Sequence, residues 1–131
     1  MKKFKKGFTL LEILVVIAII MILVTMGTTS FATAQRKARD AKRKADVRVI
    51  GQAMEQYYSV CGNAYPIIAN GAAVPAVICT GPSIAIMPTV PLDPGSTPYK
   101  CNTGCTGSGY QICSFTMEAE SPTGYCINNQ Q

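Results

Sequence analysis

Apolar residues dominate the first quarter of the chain and give way to a mixed, patterned sequence after it. From Ile13 to Val24 the residues are apolar without a break, and no charge occurs between Ile13 and Gln35. With Phe8 to Leu11 added, this stretch exceeds the ~20 residues that cross a bilayer as a helix. The pattern predicts one membrane-spanning segment.

A single helix is predicted from residue 8 to about residue 60, because no proline occurs between Phe8 and Pro66 and the composition favours helix. Its last turns carry an apolar stripe with the width of one helix face, formed by Val47, Ile50, Met54, Tyr57, Tyr58 and Cys61. The stripe should not extend upstream, because the same face carries three arginines there: Arg36, Arg39 and Arg43. We therefore expect the globular part to hold about four turns of a helix that protrudes from it.

Proline and turn residues organise the rest of the chain. Between Pro66 and Pro98 lie seven of the eight prolines, which predicts an irregular loop with at most one short turn of structure. Three short antiparallel strands follow, around Tyr99–Asn102, Tyr110–Glu118 and Gly124–Asn128, with turns at Gly104–Gly109 and Ser121–Gly124. In the middle strand an alternation with polar residues predicts that three side chains face the core: Cys113, Phe115 and Met117.

All six cysteines follow the apolar segment, at Cys61, Cys79, Cys101, Cys105, Cys113 and Cys126. An even count in a small, loop-rich domain predicts three disulfides in an oxidising, extracytoplasmic compartment. Zinc is the alternative, but no histidine and no second close cysteine pair completes a site with CNTGC. We expect Cys61 to pair with Cys79. Of the remaining connectivities, Cys101–Cys113 with Cys105–Cys126 is preferred to Cys113–Cys126 with Cys101–Cys105, because the last bond closes a tight ring.

The formal net charge of +5 is concentrated in two places. Four lysines precede Gly7, and without them 8 basic residues face 7 acidic ones. The other basic run, RKARDAKRKADVR at 36–48, has seven basic and two acidic residues. It predicts a solvated helix face with ion pairs such as Asp40–Lys44 and Lys42–Asp46, close to anionic headgroups. DNA is a possible partner but is not favoured, since no aromatic residue interrupts the run.

The N-terminal stretch KKGFTLLE, Lys5 to Glu12, resembles that of the type IV pilin family, which has a lysine-rich leader ending in glycine, then Phe-Thr-Leu-hydrophobic-Glu and an unbroken apolar helix. The resemblance implies an α+β pilin fold, in which a long protruding N-terminal helix packs on a small antiparallel sheet with a proline-rich loop and disulfides. The expected divisions are a leader at 1–7, a transmembrane assembly helix at 8–34, its amphipathic half at 35–60 and a globular head at 61–131.

The resemblance also implies how the chain is processed. A prepilin peptidase would cut between Gly7 and Phe8 and methylate the new Phe8 amine. Glu12 would then pair with the Phe8 amine of a neighbouring subunit, which relieves the cost of a lone charge in hydrocarbon. Two alternatives remain: Glu12 could reach nearby headgroups, and the Ala32-Thr33-Ala34 pattern before Gln35 could be a signal-peptidase site.

The expected product is a structural subunit of a pilus, held in the inner membrane with its head outside the cytoplasm and then exported to the cell surface. Its partners would be copies of itself, other pilins, the peptidase, an inner-membrane assembly platform and, before assembly, lipid. The alternative function is that of a pseudopilin of type II secretion. The stretch MPTVPLDPGSTPY, residues 87–99, is similar to a segment of major pseudopilins. Those proteins usually carry an acidic calcium loop near the C-terminus, and the last loop here, SPTGYC, lacks such acids. Neither catalysis, a cofactor nor a metal is expected.

Overall fold

The computed structural model describes residues 7–81, 83–119 and 124–130. The four leader lysines and most of the turn expected at 121–124 lie outside these residues. The chain divides into two compact units, Met1–Gln35 and Arg36–Gln131. Its elements are one helix and five short strands: α1 (Leu10–Val60), β1 (Val77–Cys79), β2 (Ile84–Met87), β3 (Lys100–Cys101), β4 (Gln111–Ser114) and β5 (Tyr125–Asn128).

The predicted long helix is confirmed, and its C-terminal end is set by a glycine. Gly62 adopts a left-handed conformation with φ of 90°, which glycine reaches without steric cost. The amide of Asn63 then donates to the carbonyl of Tyr58 at 3.0 Å, the hydrogen bond that closes a Schellman motif. The helix therefore stops just before the first proline of the loop.

The second unit buries the expected helix face against the sheets. Val47, Ile50 and Met54 are fully buried, with Tyr57 and Tyr58 packed at the edge of the core. Gly51 lets β5 approach closely, since a Cβ there would lie 2.2 Å from Ile127 Cδ1. The expectation that the arginines end this contact is wrong, because Arg43 and Asp40 are also buried, one and two turns upstream of Val47 respectively.

The two sheets are antiparallel, with strand orders β1-β2 and β3-β4-β5. The three-stranded sheet was expected, with longer strands. The two-stranded sheet was not, since it lies inside the proline-rich segment predicted to be irregular. VIC and IAIM pair across the turn around Gly81, and each is too short to show a clear alternation.

The alternation expected in β4 is also corrected. Ile112, Cys113 and Ser114 are all buried, whereas Phe115 is half exposed and follows the end of the strand. β4 is the central strand of its sheet, and a strand covered on both faces buries consecutive residues instead of every second one.

Three disulfides join the cysteines as Cys61–Cys79, Cys101–Cys105 and Cys113–Cys126. The first is the expected pair; the other two are the connectivity that was not preferred. Strand register explains the correction. Cys113 lies directly opposite Cys126, whereas Cys101 lies opposite Ile112, and a one-residue offset puts two side chains on opposite faces of a sheet.

Candidate functional site

The first candidate site lies where helix α1 begins. Gly7, Phe8 and Thr9 have no regular secondary structure, and the helix starts at Leu10. The side chain of Phe8 is 84% exposed. The two residues of the expected cleavage point therefore precede the first helical turn.

Glu12 closes a capping box with Thr9. Its Oε2 accepts hydrogen bonds from the Thr9 amide at 2.8 Å and from the Thr9 hydroxyl at 2.9 Å. In return, the Glu12 amide donates to Thr9 Oγ1 at 3.2 Å. Each side chain thus satisfies a backbone amide that has no partner within the helix.

Sequence reasoning assigned Glu12 but missed Thr9. The signal was present, because threonine followed three residues later by glutamate, just before an apolar run, is the sequence signature of this cap. The carboxylate consequently has hydrogen-bond partners within its own chain, in addition to the amine that the resemblance suggests.

The apolar residues after Glu12 are exposed along the whole first unit, among them Ile13, Leu14, Ile17 and Phe31. Helix α1 is long and apolar enough to cross a membrane, and none of its most apolar window is buried within the chain. Such a surface requires a lipid or protein environment, since isolated apolar patches on soluble monomers are far smaller.

A second polar site, the ion cluster, lies in the other unit and consists of Asp40, Arg43, Asp93 and Glu118. The Arg43 guanidinium, nearly fully buried, contacts Asp40 at 2.7 Å, Glu118 at 2.9 Å and both carboxylate oxygens of Asp93. Asp40 accepts the amides of Glu118 and Ala119. Asp93 also accepts from Gly95 N–H at 2.8 Å and from the Thr116 hydroxyl at 3.0 Å.

These contacts keep the carboxylates ionised. Burial raises the pKa of Asp40, but the amides of Glu118 and Ala119 and the Arg43 guanidinium outweigh it, and the pKa lies below its ordinary value. Burial likewise raises the pKa of Asp93, but the Arg43 guanidinium, the Gly95 amide and the Thr116 hydroxyl outweigh it, and the pKa lies below its ordinary value. Hydrogen bonds from Arg39 and Arg43 lower the pKa of Glu118 to about 2.

The ion cluster gives the PLDPGSTPY segment a structural role. Asp93 of this segment anchors Arg43, and Tyr99 buries its ring while donating its hydroxyl to Asp46 at 2.8 Å. The segment therefore docks the helix onto the head. Within residues 7–81, 83–119 and 124–130, no three acidic or cysteine side chains are placed to hold a metal ion.

Comparison with known families identifies the first site. Residues 2–28 match the model of the prokaryotic N-terminal methylation motif. The match supports the prepilin-like character of the N-terminal stretch, which is shared by type IV pilins and pseudopilins. No curated protein and no solved structure matches it significantly. The exposed apolar helix, the small antiparallel sheets and the three disulfides are consistent with the pilin fold, and the matched motif belongs to a structural class of proteins.

Proposed function

We propose that this prepilin-like chain is a structural subunit of a type IV pilus, cut between Gly7 and Phe8 and assembled through its N-terminal helix. The observation that carries the proposal is the methylation motif at residues 2–28, followed by an exposed apolar helix that places a carboxylate in its first turn. The expected divisions at 1–7, 8–34, 35–60 and 61–131 belong to the same proposal, as do the inner membrane as first location and the surface pilus as the second.

The position of Glu12 supports assembly by charge pairing. A charged side chain in hydrocarbon costs at least roughly 2.5 kcal/mol. Thr9 offsets part of this cost with two hydrogen bonds but brings no opposite charge. Cleavage would create such a charge at Phe8, and the amine of a neighbouring subunit would complete the pair that the lone subunit lacks.

The pseudopilin of a type II secretion system is the second candidate, favoured by the similarity of residues 87–99 to major pseudopilins. The ion cluster weakens that argument, because Asp93 and Tyr99 serve to hold the helix. The pilus proposal is favoured because three disulfides stabilise the head, as is frequent in pilins.

Processing and location test the proposal together. Filaments sheared from cells should contain the chain beginning at Phe8 with one added methyl group, as read by intact mass. Gly7→Val is the matched variant: a Cβ at Gly7 meets no atom within 4 Å, so the folded chain tolerates it, and loss of processing would report on the peptidase. Deletion of the chain should abolish surface filaments and leave protein secretion unchanged. The reverse pattern would favour the pseudopilin, and a soluble form beginning at Gln35 would contradict both.

A further inference from the structure

The basic run at 36–48 contains two acids, and the structure turns both toward the head. Asp40 is fully buried and held by Arg43 and two backbone amides. Asp46 is partly buried and accepts the hydroxyl of Tyr99 at 2.8 Å. A solvated helix face neutralised by its own ion pairs would need both carboxylates exposed at its surface, and neither one is exposed there.

Several of the basic residues are committed to the head as well. Arg43 is buried in the ion cluster, and Arg39 pairs with Glu118. Lys44 lies 5.7 Å from the centre of the Tyr125 ring, and Arg48 contacts its hydroxyl at 3.3 Å. These four side chains therefore contribute to packing of the helix on the sheet.

Arg36, Lys37 and Lys42 remain exposed. In the part of the chain that the structure describes, no carboxylate forms an ion pair with any of them. The helix surface around these three residues is therefore positively charged, and Asp40 and Asp46 do not neutralise it. Arg36 and Lys37 are called the basic pair below.

The basic pair comes directly after the uncharged segment. The 26 helical residues from Leu10 to Gln35 extend about 39 Å. With Phe8 and Thr9 before them, they approach the ~40–45 Å of a bilayer with its headgroup layers. A segment that spans the membrane from Phe8 therefore brings residues 36 and 37 to the opposite surface. Lys42 lies about 9 Å further along the helix, which is one screening length at physiological salt.

We propose that the basic pair binds the headgroups of anionic phospholipids at the outer surface of the membrane, with Lys42 as a weaker contributor. The inference rests on membrane insertion, which is part of the proposed function. A basic residue near an anionic surface gains roughly 1 kcal/mol, which corresponds to about a fivefold preference. Before assembly, this contact would hold the base of the head at the headgroup layer.

The experiment measures which lipids surround the processed chain, which begins at Phe8 and lacks the four leader lysines. The chain is reconstituted in phosphatidylcholine vesicles that contain trace spin-labelled lipid, and electron paramagnetic resonance gives the fraction of label immobilised by protein. We expect spin-labelled phosphatidylglycerol to be preferred over spin-labelled phosphatidylcholine by at least about fivefold at low salt. High salt should remove the preference, because screening weakens each contact.

The variants form a matched set. Lys37→Gln should reduce the preference several-fold, and Arg36→Gln/Lys37→Gln should nearly abolish it. Lys100→Gln removes the same charge from an exposed lysine of β3 and should leave the preference unchanged. Equal effects of Lys37→Gln and Lys100→Gln would overturn the proposal, because they would indicate a response to net charge alone.

Two further outcomes would also overturn it. Flotation on a density gradient reports insertion: a chain that inserts without lipid preference contradicts only the headgroup site, whereas a chain that does not insert contradicts the proposed function too. Duplex DNA is the competing phosphate-bearing partner. A mobility shift with DNA that the double variant abolishes, without any lipid preference, would assign the basic pair to nucleic acid.

Discussion

Glu12 and Arg43 are charged side chains on helix α1, and each has a different kind of partner. Glu12 binds the backbone and hydroxyl of Thr9 at a helix terminus, whereas Arg43 is surrounded by three carboxylates. At Arg43 the cost of losing a partner exceeds the net gain from forming the contact, because the remaining group stays away from water. The same would hold at Glu12 in the proposed membrane-inserted state. The two residues are therefore the most informative single positions to change.

At Glu12, substitution separates capping from charge. Glu12→Ala should leave membrane insertion intact, because removing a charge makes the segment more apolar, and should impair filament assembly. Glu12→Gln is the control, since glutamine also serves in capping boxes but has no charge to pair with an amine. Microscopy counts filaments, and the membrane fraction is probed for subunit. Loss of filaments in both variants would support charge pairing; normal filaments with Glu12→Gln would assign the role to the cap.

At Arg43, the expected effect is on stability. Arg43→Met should lower the free energy of unfolding of the head by about 3–5 kcal/mol, because Asp40 and Asp93 would remain buried without their cation. Arg39→Met is the matched control: Arg39 pairs with Glu118 at the surface, so its loss should cost within about 1 kcal/mol. Denaturant unfolding in detergent, followed by tyrosine circular dichroism, gives both values. Similar losses in the free energy of unfolding for the two variants would show that burial does not determine how much the ion cluster contributes to stability.

Among the elements, the helix was the most predictable from sequence and the strands the least. The absence of proline and the apolar stripe locate α1 over fifty residues, since many positions contribute to one periodic signal. Strands β1 and β2 have only three and four residues, so neither gives a pattern that stands out from a proline-rich loop. The prediction that Arg43 faces solvent failed for another reason. Hydrophobic periodicity treats every arginine as exposed, and only the folded chain shows that Asp93, fifty residues away, is its partner.

The start of β5 depends on Gly124. This residue has φ of 83°, and a Cβ would lie 2.1 Å from the carbonyl oxygen of Ser114. Gly124→Ala should therefore destabilise the head by more than the roughly 1–3 kcal/mol of backbone strain alone, and should raise amide hydrogen exchange in β4 and β5. Gly81→Ala is the control, since a Cβ there meets nothing within 4 Å. Equal exchange in both variants would contradict the close approach at Ser114.

For the whole molecule, the disulfides compensate for a small core. Cys61–Cys79 closes a loop of 18 residues, worth roughly 3 kcal/mol on the chain-entropy estimate. Cys61→Ala/Cys79→Ala should lower stability by about that amount and raise amide exchange between residues 62 and 80. Mass-resolved hydrogen exchange measures this directly. Unchanged exchange in that segment would mean that its hydrogen bonds to the β3 region, such as Ile68 N–H to the Cys105 carbonyl, hold it without the disulfide.

Acid should destabilise the head as a whole. In the folded chain the pKa values of Asp40 and Asp93 are lowered, and hydrogen bonds from Arg39 and Arg43 lower that of Glu118 to about 2, while unfolded carboxyls take up protons near pH 4. The unfolded state therefore binds more protons as the pH falls, so stability present above about pH 4 is lost toward pH 2. Unfolding measured across this range should show the loss in the parent chain and a smaller loss in Asp93→Asn, which removes one of the three carboxyls. An equal loss of stability in that variant would show that Asp93 does not contribute to the acid sensitivity of the head.

The capping box at Thr9 has a consequence for proteolysis. Peptidases act on backbone that is free of regular hydrogen bonding, and a helix begun a turn earlier would enclose the bond between Gly7 and Phe8. By fixing the first helical residue at Leu10, the side chains of Thr9 and Glu12 keep that bond in exposed chain outside the helix. The residue proposed to join subunits would thereby also expose the bond whose cleavage makes joining possible, so a loosened cap should slow maturation before it affects the filament.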